Sequence, residues 1–449
     1  MGQKKGLSFS SPVALGWLIF SIIVAALLCF LIYMGASLWY SETKGPFKNW
    51  TQVVDLNGDG NLDVLVSHTR WEGVDLSWAG IGRWINQGNG KFELVGEEGT
   101  NYFDGFAAGA GDIDQDGDAD VFVQNFGIRT LENHGGLQGG EPGQFMSSTG
   151  INTPPAYNRG YRDMGGTITT GDLNGDSRID AFVAGCCYGL NPTRPGADYV
   201  HAASVSWAWI NDGRPDGLQT GHILPLDFLD GRPIRQAALG DLDGDGDLDI
   251  FAAVGKPTMG NIRSLADLIL LNDGTGRLEP LDLPLAHADS TSVALGDVNG
   301  DGRLDALVGT DGGAQLWINQ GNETDSGRPV FVAGEASFAA KRTIWDSVQA
   351  SLSAAANQLF GLYLPYGSTR TKAVFLTDLD GDGDQDALIA RIWGAEVWWN
   401  DGQGTFQRSE LRFEYEEDTG VAVGDFDGDG DQDIFMGGNG DRYQIWWND

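Results

Sequence analysis

The sequence predicts an all-β fold, a seven-bladed β-propeller behind one N-terminal transmembrane helix. Three observations predict it: a nine-residue acidic loop occurs seven times, each copy lies between short β-rich stretches, and an apolar run precedes them all. The copies begin at Asp55, Asp112, Asp172, Asp241, Asp297, Asp378 and Asp425 of the 449-residue chain. Successive intervals of 57, 60, 69, 56, 81 and 47 residues leave room in each repeat for the short strands of one propeller blade.

From Val13 to Tyr40 no residue is charged, and Trp17, Trp39 and Tyr40 flank the run. At 1.5 Å per residue the run spans about 42 Å, enough for a hydrocarbon core with interfacial aromatic anchors. Lys4 and Lys5 precede it and hold the short N-terminus on the cytoplasmic side. The run is too long for a secretory leader and no Ala-x-Ala site closes it, which favours a retained anchor. The expected organisation is a cytoplasmic N-terminus at 1–12, a transmembrane helix at 13–40, a tether at 41–50 and the propeller at 51–449.

Each loop places oxygen-bearing side chains at positions 1, 3, 5 and 9, Gly or a replacement at 6, and a backbone carbonyl at 7, the set a hard cation such as calcium takes from a compact turn. The first five-residue set is Asp55, Asn57, Asp59, Asn61 and Asp63, and the second is Asp112, Asp114, Asp116, Asp118 and Asp120. Asp172, Asn174, Asp176, Arg178 and Asp180 make the third; Asp241, Asp243, Asp245, Asp247 and Asp249 the fourth; Asp297, Asn299, Asp301, Arg303 and Asp305 the fifth. The sixth is Asp378, Asp380, Asp382, Asp384 and Asp386, and the seventh Asp425, Asp427, Asp429, Asp431 and Asp433. Position 7 enters through its carbonyl, so Arg178 and Arg303 do not break the pattern. Up to seven calcium ions are expected, because three or four carboxylates per loop repel one another without a cation. Asn at position 3 weakens loops one, three and five, and Ser177 stands where the other loops have Gly. A non-Gly residue in a left-handed turn costs about 1 kcal/mol or more, so site three is predicted to be the weakest.

Further along each repeat a third strand ends in an Asn turn, as in Trp84-Ile85-Asn86, Trp209-Ile210-Asn211, Leu271-Asn272, Trp317-Ile318-Asn319, Trp399-Asn400 and Trp447-Asn448. A fourth strand opens with Phe92, Phe145, Phe331 or Phe406. Regular recurrence makes the Trp residues core between blades rather than ligand platforms. At these loops and turns the sequence resembles the FG-GAP or VCBS family of calcium-binding propeller repeats, which includes the integrin α-subunit propeller. The resemblance covers nearly everything after residue 50. It implies a calcium site in each loop and a fold that serves mainly as a recognition platform; the family also includes sugar-binding lectins and some polysaccharide-acting enzymes.

Function is bounded by charge. With 63 acidic and 28 basic residues the formal charge is −35, which excludes nucleic acid and anionic lipid as direct surface partners. Calcium is scarce in the cytosol, so seven such sites place the propeller outside it, periplasmic or at the cell surface. Cys29 lies in the apolar run; Cys186 and Cys187 are neighbours, which leaves open two thiols or a vicinal disulfide of strained geometry. Alternating strand direction puts the acidic loops and Asn turns on one face. The opposite face should carry long loops at 67–82 with Arg70, Trp71 and Trp78, at 185–206 and at 254–267, with Trp71 and Trp78 as partner-binding residues. An insertion at 333–372 shows helical periodicity and makes Trp345, Leu352 and Leu359 the apolar face of an amphipathic helix that packs on its own propeller or meets a partner or the membrane, with the three read as partner-binding residues. Phe47 precedes Asp55 by only eight residues, too few to build an outer strand and return to an inner one, so the last blade is expected to be three-stranded.

No hydrolase, metalloprotease or phosphate-loop motif occurs, and the five His are scattered. The expected function is a non-catalytic interaction module or accessory subunit of a membrane assembly, partnered by the membrane and another membrane protein. A glycan-binding adhesin is the alternative, and a calcium-dependent polysaccharide lyase using Lys256 or Arg263 as base comes third.

Overall fold

A computed structural model describes residues 50–448, apart from 73–74, 89, 96–106, 125–127, 135–142, 144, 148–166, 186–205, 214–221, 227–228, 230–231, 256–264, 284–288, 340–369, 392–393, 416–419 and 438–441. The expected transmembrane helix, both neighbouring cysteines, and Trp345, Leu352 and Leu359 of the insertion lie outside the described residues. Among the described residues, no helix is long and apolar enough to cross a membrane.

The strands form seven antiparallel sheets, each with its strands in chain order, six of four strands and the last of three. Blade one shows the plan: Thr51–Val54 runs into the acidic loop, Asp63–Glu72 returns, Asp75–Asn86 runs back to the Asn turn, and Phe92–Val95 lies outside. The second strand of each blade from two to seven is close to fully buried, as in Asp249–Val254 and Asp386–Arg391, because both its faces meet neighbouring blades. Such strands are continuous runs of Val, Ile, Leu, Phe and Ala rather than alternating ones.

The core is a set of inter-blade layers. Trp84 packs with Phe426 and Phe435 of blade seven, Trp209 with Phe122 of blade two, and Trp317 with Phe251 of blade four. These three indoles are at most 1% exposed, in line with the core assignment from sequence. Trp84 meets Phe435 edge to face at 5.5 Å and Trp209 meets Phe122 at 5.2 Å, setting ring edges against ring faces of opposite partial charge. Blade seven closes onto blade one through the shared cluster around Trp84 and through the Thr51 hydroxyl, which donates to the Val421 carbonyl at 2.5 Å.

Two expectations need correction. Residues 67–82 are not a loop: Asp63–Glu72 and Asp75–Asn86 pair from Val64 with Trp84 to Glu72 with Asp75, with a register shift between Arg70 and Trp71. Among the described residues the contact with the first strand continues to Trp50, whose carbonyl accepts the Ser67 amide at 2.8 Å, and the second and third strands go on pairing past that point. The fourth strand of blade five opens at Pro329 rather than Phe331, and those of blades three and four open at His222 and Leu278, where no Phe marks them.

Candidate metal centres

All seven acidic loops join the first and second strands of their blades and therefore stand on one face. Position 2 anchors each loop from below: Leu56, Ile113, Leu173, Leu242, Val298, Leu379 and Phe426 are at most 2% exposed. Above this anchor the acidic side chains organise the turn. The first Asp accepts the amide of position 6 in every loop, at 2.6 to 3.2 Å. The fifth-position Asp accepts the amide of position 7 at 2.8 to 3.1 Å. Positions 4 and 6 have positive φ, which is why Gly dominates both; Gln115 and Ser177 are the exceptions, each at φ 64.

Position 9 is the most buried carboxylate of each loop, as with Asp63, Asp249 and Asp305 at 0% exposure. One of its oxygens accepts the amide of position 2 at 2.8 to 3.1 Å. The other accepts the amide of the turn Asn at 2.7 to 3.0 Å, tying the loop to the end of the third strand.

Sequence reasoning treats those Asn residues as turn formers and overlooks Asn133. In the structure Asn86, Asn133, Asn211, Asn272, Asn319, Asn400 and Asn448 each send the side-chain NH2 to the position-2 carbonyl of the preceding blade's loop, at 2.7 to 2.9 Å. Asn86 reaches Phe426 and so closes the circle. The seven loops are thus links in one continuous hydrogen-bonded ring. The signal that could have revealed it is the recurring Asn, at a fixed place two residues after Trp or Leu.

The carboxylates converge. Positions 1, 3 and 9 bring a ligand atom each to within 4.8 Å of one another in the second loop (Asp112, Asp114, Asp120), the fourth (Asp241, Asp243, Asp249), the sixth (Asp378, Asp380, Asp386) and the seventh (Asp425, Asp427, Asp433). Loops one, three and five have Asn at position 3. Convergence without a cation is electrostatically unfavourable. Burial, followed by neighbouring carboxylates as a smaller cause, pushes Asp120 up to about 8, Asp63 to about 7, and Asp180, Asp249, Asp305 and Asp386 to about 6. Asp114 and Asp118, also raised first by burial and then by Asp116, reach about 6 and about 7. Several hard oxygen donors held together against their own repulsion fit calcium in number and chemistry.

Position 7 divides the loops further. Its side chain turns toward the Asn turn: Asp247 lies where a Cβ on Gly274 would collide with it. In loops three and five the residue is Arg, and it pairs with its own fifth-position carboxylate, Arg178 with Asp176 at 2.8 Å and Arg303 with Asp301. A guanidinium therefore offsets one charge that a metal would otherwise neutralise.

No curated protein matches the sequence. Solved structures with similar folds include an Agrocybe aegerita lectin that recognises non-reducing terminal N-acetylglucosamine, at 17% identity and TM-score 0.47 over 83% of this chain and 81% of the lectin. The V. cholerae biofilm matrix protein Bap1 is similar at 12% identity and TM-score 0.38, over 90% of this chain and 87% of that one. The model of the FG-GAP-like repeat matches residues 55–123, 241–308 and 378–449, and that of the FG-GAP repeat matches 290–329. Those matches take in six of the seven acidic loops, all but the third, and the chain belongs to the FG-GAP repeat family.

Proposed function

We propose that this chain is a calcium-stabilised propeller held outside the cytoplasm by an N-terminal membrane anchor, and that it works as a non-catalytic interaction module of a membrane protein assembly. The observation that carries the calcium part is the ring: every loop that would hold an ion is also hydrogen-bonded to the next blade through its Asn, so ion binding and blade packing are the same structural event. In each loop the side chains at positions 1, 3, 5 and 9 and the carbonyl at 7 would hold the cation. Bound there, calcium supplies positive charge that offsets the carboxylates; the chain's own residues set the turn and seat it on the core. Seven such ions would remove less than half of the formal charge of −35, which leaves an acidic surface suited to basic or polar protein partners.

The interaction part draws on the long second and third strands of blade one, which carry Arg70, Trp71 and Trp78 near the end where the two strands connect. Trp and Arg are the residue types that most often anchor protein interfaces. The anchor part rests on the uncharged run from Val13 to Tyr40. The test is to extract the protein gently from its membrane and cross-link it through photoreactive residues at positions 71 and 78. A stoichiometric membrane-protein adduct is expected. Labelling of glycan on an array with no protein adduct would replace this reading with the adhesin one, and cleavage of a uronic-acid polymer would replace it with the lyase.

A further inference from the structure

We infer that loops two and three are a coupled pair of metal sites, joined by the Gln115 side chain, so that loading loop two prepares loop three. The inference rests on the reading that the loops bind calcium. Its starting point is a pair of departures from the repeat. Position 4 is Gly in six of the loops and Gln115 in loop two; position 6 is Gly in six and Ser177 in loop three. Both positions have left-handed backbone, and these two are the only non-Gly residues with positive φ among the described residues. Each is strained by its Cβ. They meet: the Gln115 side-chain amide donates to the Ser177 carbonyl at 2.9 Å.

The place of this bond gives it consequence. Gln115 lies between Asp114 and Asp116, two candidate ligands of loop two, so an ion drawing those carboxylates together also fixes the residue between them. On the other side the bond grips the peptide that joins Ser177 to Arg178. The amide of that peptide donates to Asp176 at 3.0 Å, and the amide of Ser177 donates to Asp172 at 2.6 Å. Gln115 thus holds from outside the stretch of backbone that orients two carboxylates of loop three. In the other loops position 4 is Gly and has no side chain to reach across.

The two loops are also unequal, which sets the direction of the effect. Loop two has five Asp among its nine residues, and both carboxylate oxygens of Asp118 are buried without a hydrogen-bond donor among the described residues. Loop three has three Asp, and Arg178 already pairs with one of them at 2.8 Å. Loop two gains most from an ion and fills first; loop three follows, using a backbone that loop two has stiffened. Gln115 is a positioning residue for the third site and touches no ion itself. Reciprocity requires that a filled loop three also tighten loop two by the same factor.

The experiment counts calcium ions on the detergent-solubilised full chain by native mass spectrometry across a series of buffered free-calcium concentrations. Gln115→Gly keeps every carboxylate and relieves the left-handed strain, so the protein should fold at least as well. The ion lost most easily should then require about fivefold more calcium, a modest coupling by the usual scale. In a background of Asp172→Ala, which disables loop three, Gln115→Gly should leave the remaining ions unchanged. An unchanged or tighter weakest ion in Gln115→Gly, with ions still bound to the unaltered protein, would overturn the coupling and leave the calcium reading standing. Persistence of the weakening in the Asp172→Ala background would also overturn it, because Gln115 would then act on loop two alone. An unaltered protein that binds no calcium at any concentration would sink both.

Discussion

At the residue scale the side chains that matter most are those with two jobs. Asn272 is 4% exposed, donates to the Leu173 carbonyl at 2.7 Å and the Leu248 carbonyl at 3.0 Å, and accepts from the Gly276 amide at 3.2 Å. Asn272→Ala strands these buried groups and should cost about 2–4 kcal/mol in denaturant unfolding with calcium present. Glu396 has two jobs of a different kind, because it sits between Arg391 at 3.3 Å and Arg408, and Arg391 also donates to the Phe338 carbonyl at 3.3 Å. Glu396→Gln leaves two guanidinium groups in a nearly closed site, and a loss of about 3–5 kcal/mol is expected by the same unfolding measurement. Asp267 offers a pH test away from the metal loops. It is 1% exposed, accepts the Val254 amide at 2.8 Å and the Ser290 hydroxyl at 3.0 Å, and burial outweighs those bonds to push its carboxyl up to about 7. Between its ordinary value and about 7 the folded protein holds a proton that the unfolded chain has released, so its contribution to stability is full in acid and falls as pH rises through that window. The stability difference between the parent protein and Asp267→Asn should therefore change across about pH 4 to 7 and flatten above it; a difference independent of pH would contradict the assignment.

At the element scale the nine-residue loop shows what sequence can and cannot reveal. The Asp spacing exposes all seven loops, and the Asn turns mark the end of the third strand in six blades. The role of Asn133 stays hidden because Glu132 replaces the usual apolar neighbour and no Trp marks the strand. Trp71 and Trp78 read as loop residues because Arg70, Glu72, Gly73 and Asp75 interrupt the apolar pattern there. The Gln115 to Ser177 contact joins residues of different loops, 62 apart in sequence, that spacing alone does not bring together. Loop three remains the expected weakest site, with a strained Ser177, Asn174 in place of Asp, and a guanidinium pairing with one carboxylate. Calcium counting should show the ion at loop three leaving first as free calcium falls. Loss of the ions from the four loops rich in Asp while loop three stays filled would mean that carboxylate number does not set affinity here.

At the scale of the whole molecule, blades one to seven form a ring closed by packing and by Asn86 reaching Phe426. Among the described residues the last blade has three strands. Its outer strand, Tyr443–Trp446, still contributes Tyr443 and Ile445 to the layer shared with blade one, and Trp447 just beyond it joins them. Side chains and the loop ring both contribute to closure. Because each loop is a link, loss of calcium should loosen every junction together, and the central claim is that the ring is locked by metal. The most direct test is calorimetric unfolding of the purified chain, first with its calcium measured by elemental analysis and then after chelation. Several bound ions per chain and a melting temperature lower by about 10 °C or more without them are expected, since a few kcal/mol at any one junction already shifts a large domain by several degrees. A calcium-loaded protein whose melting does not change on chelation would contradict the account.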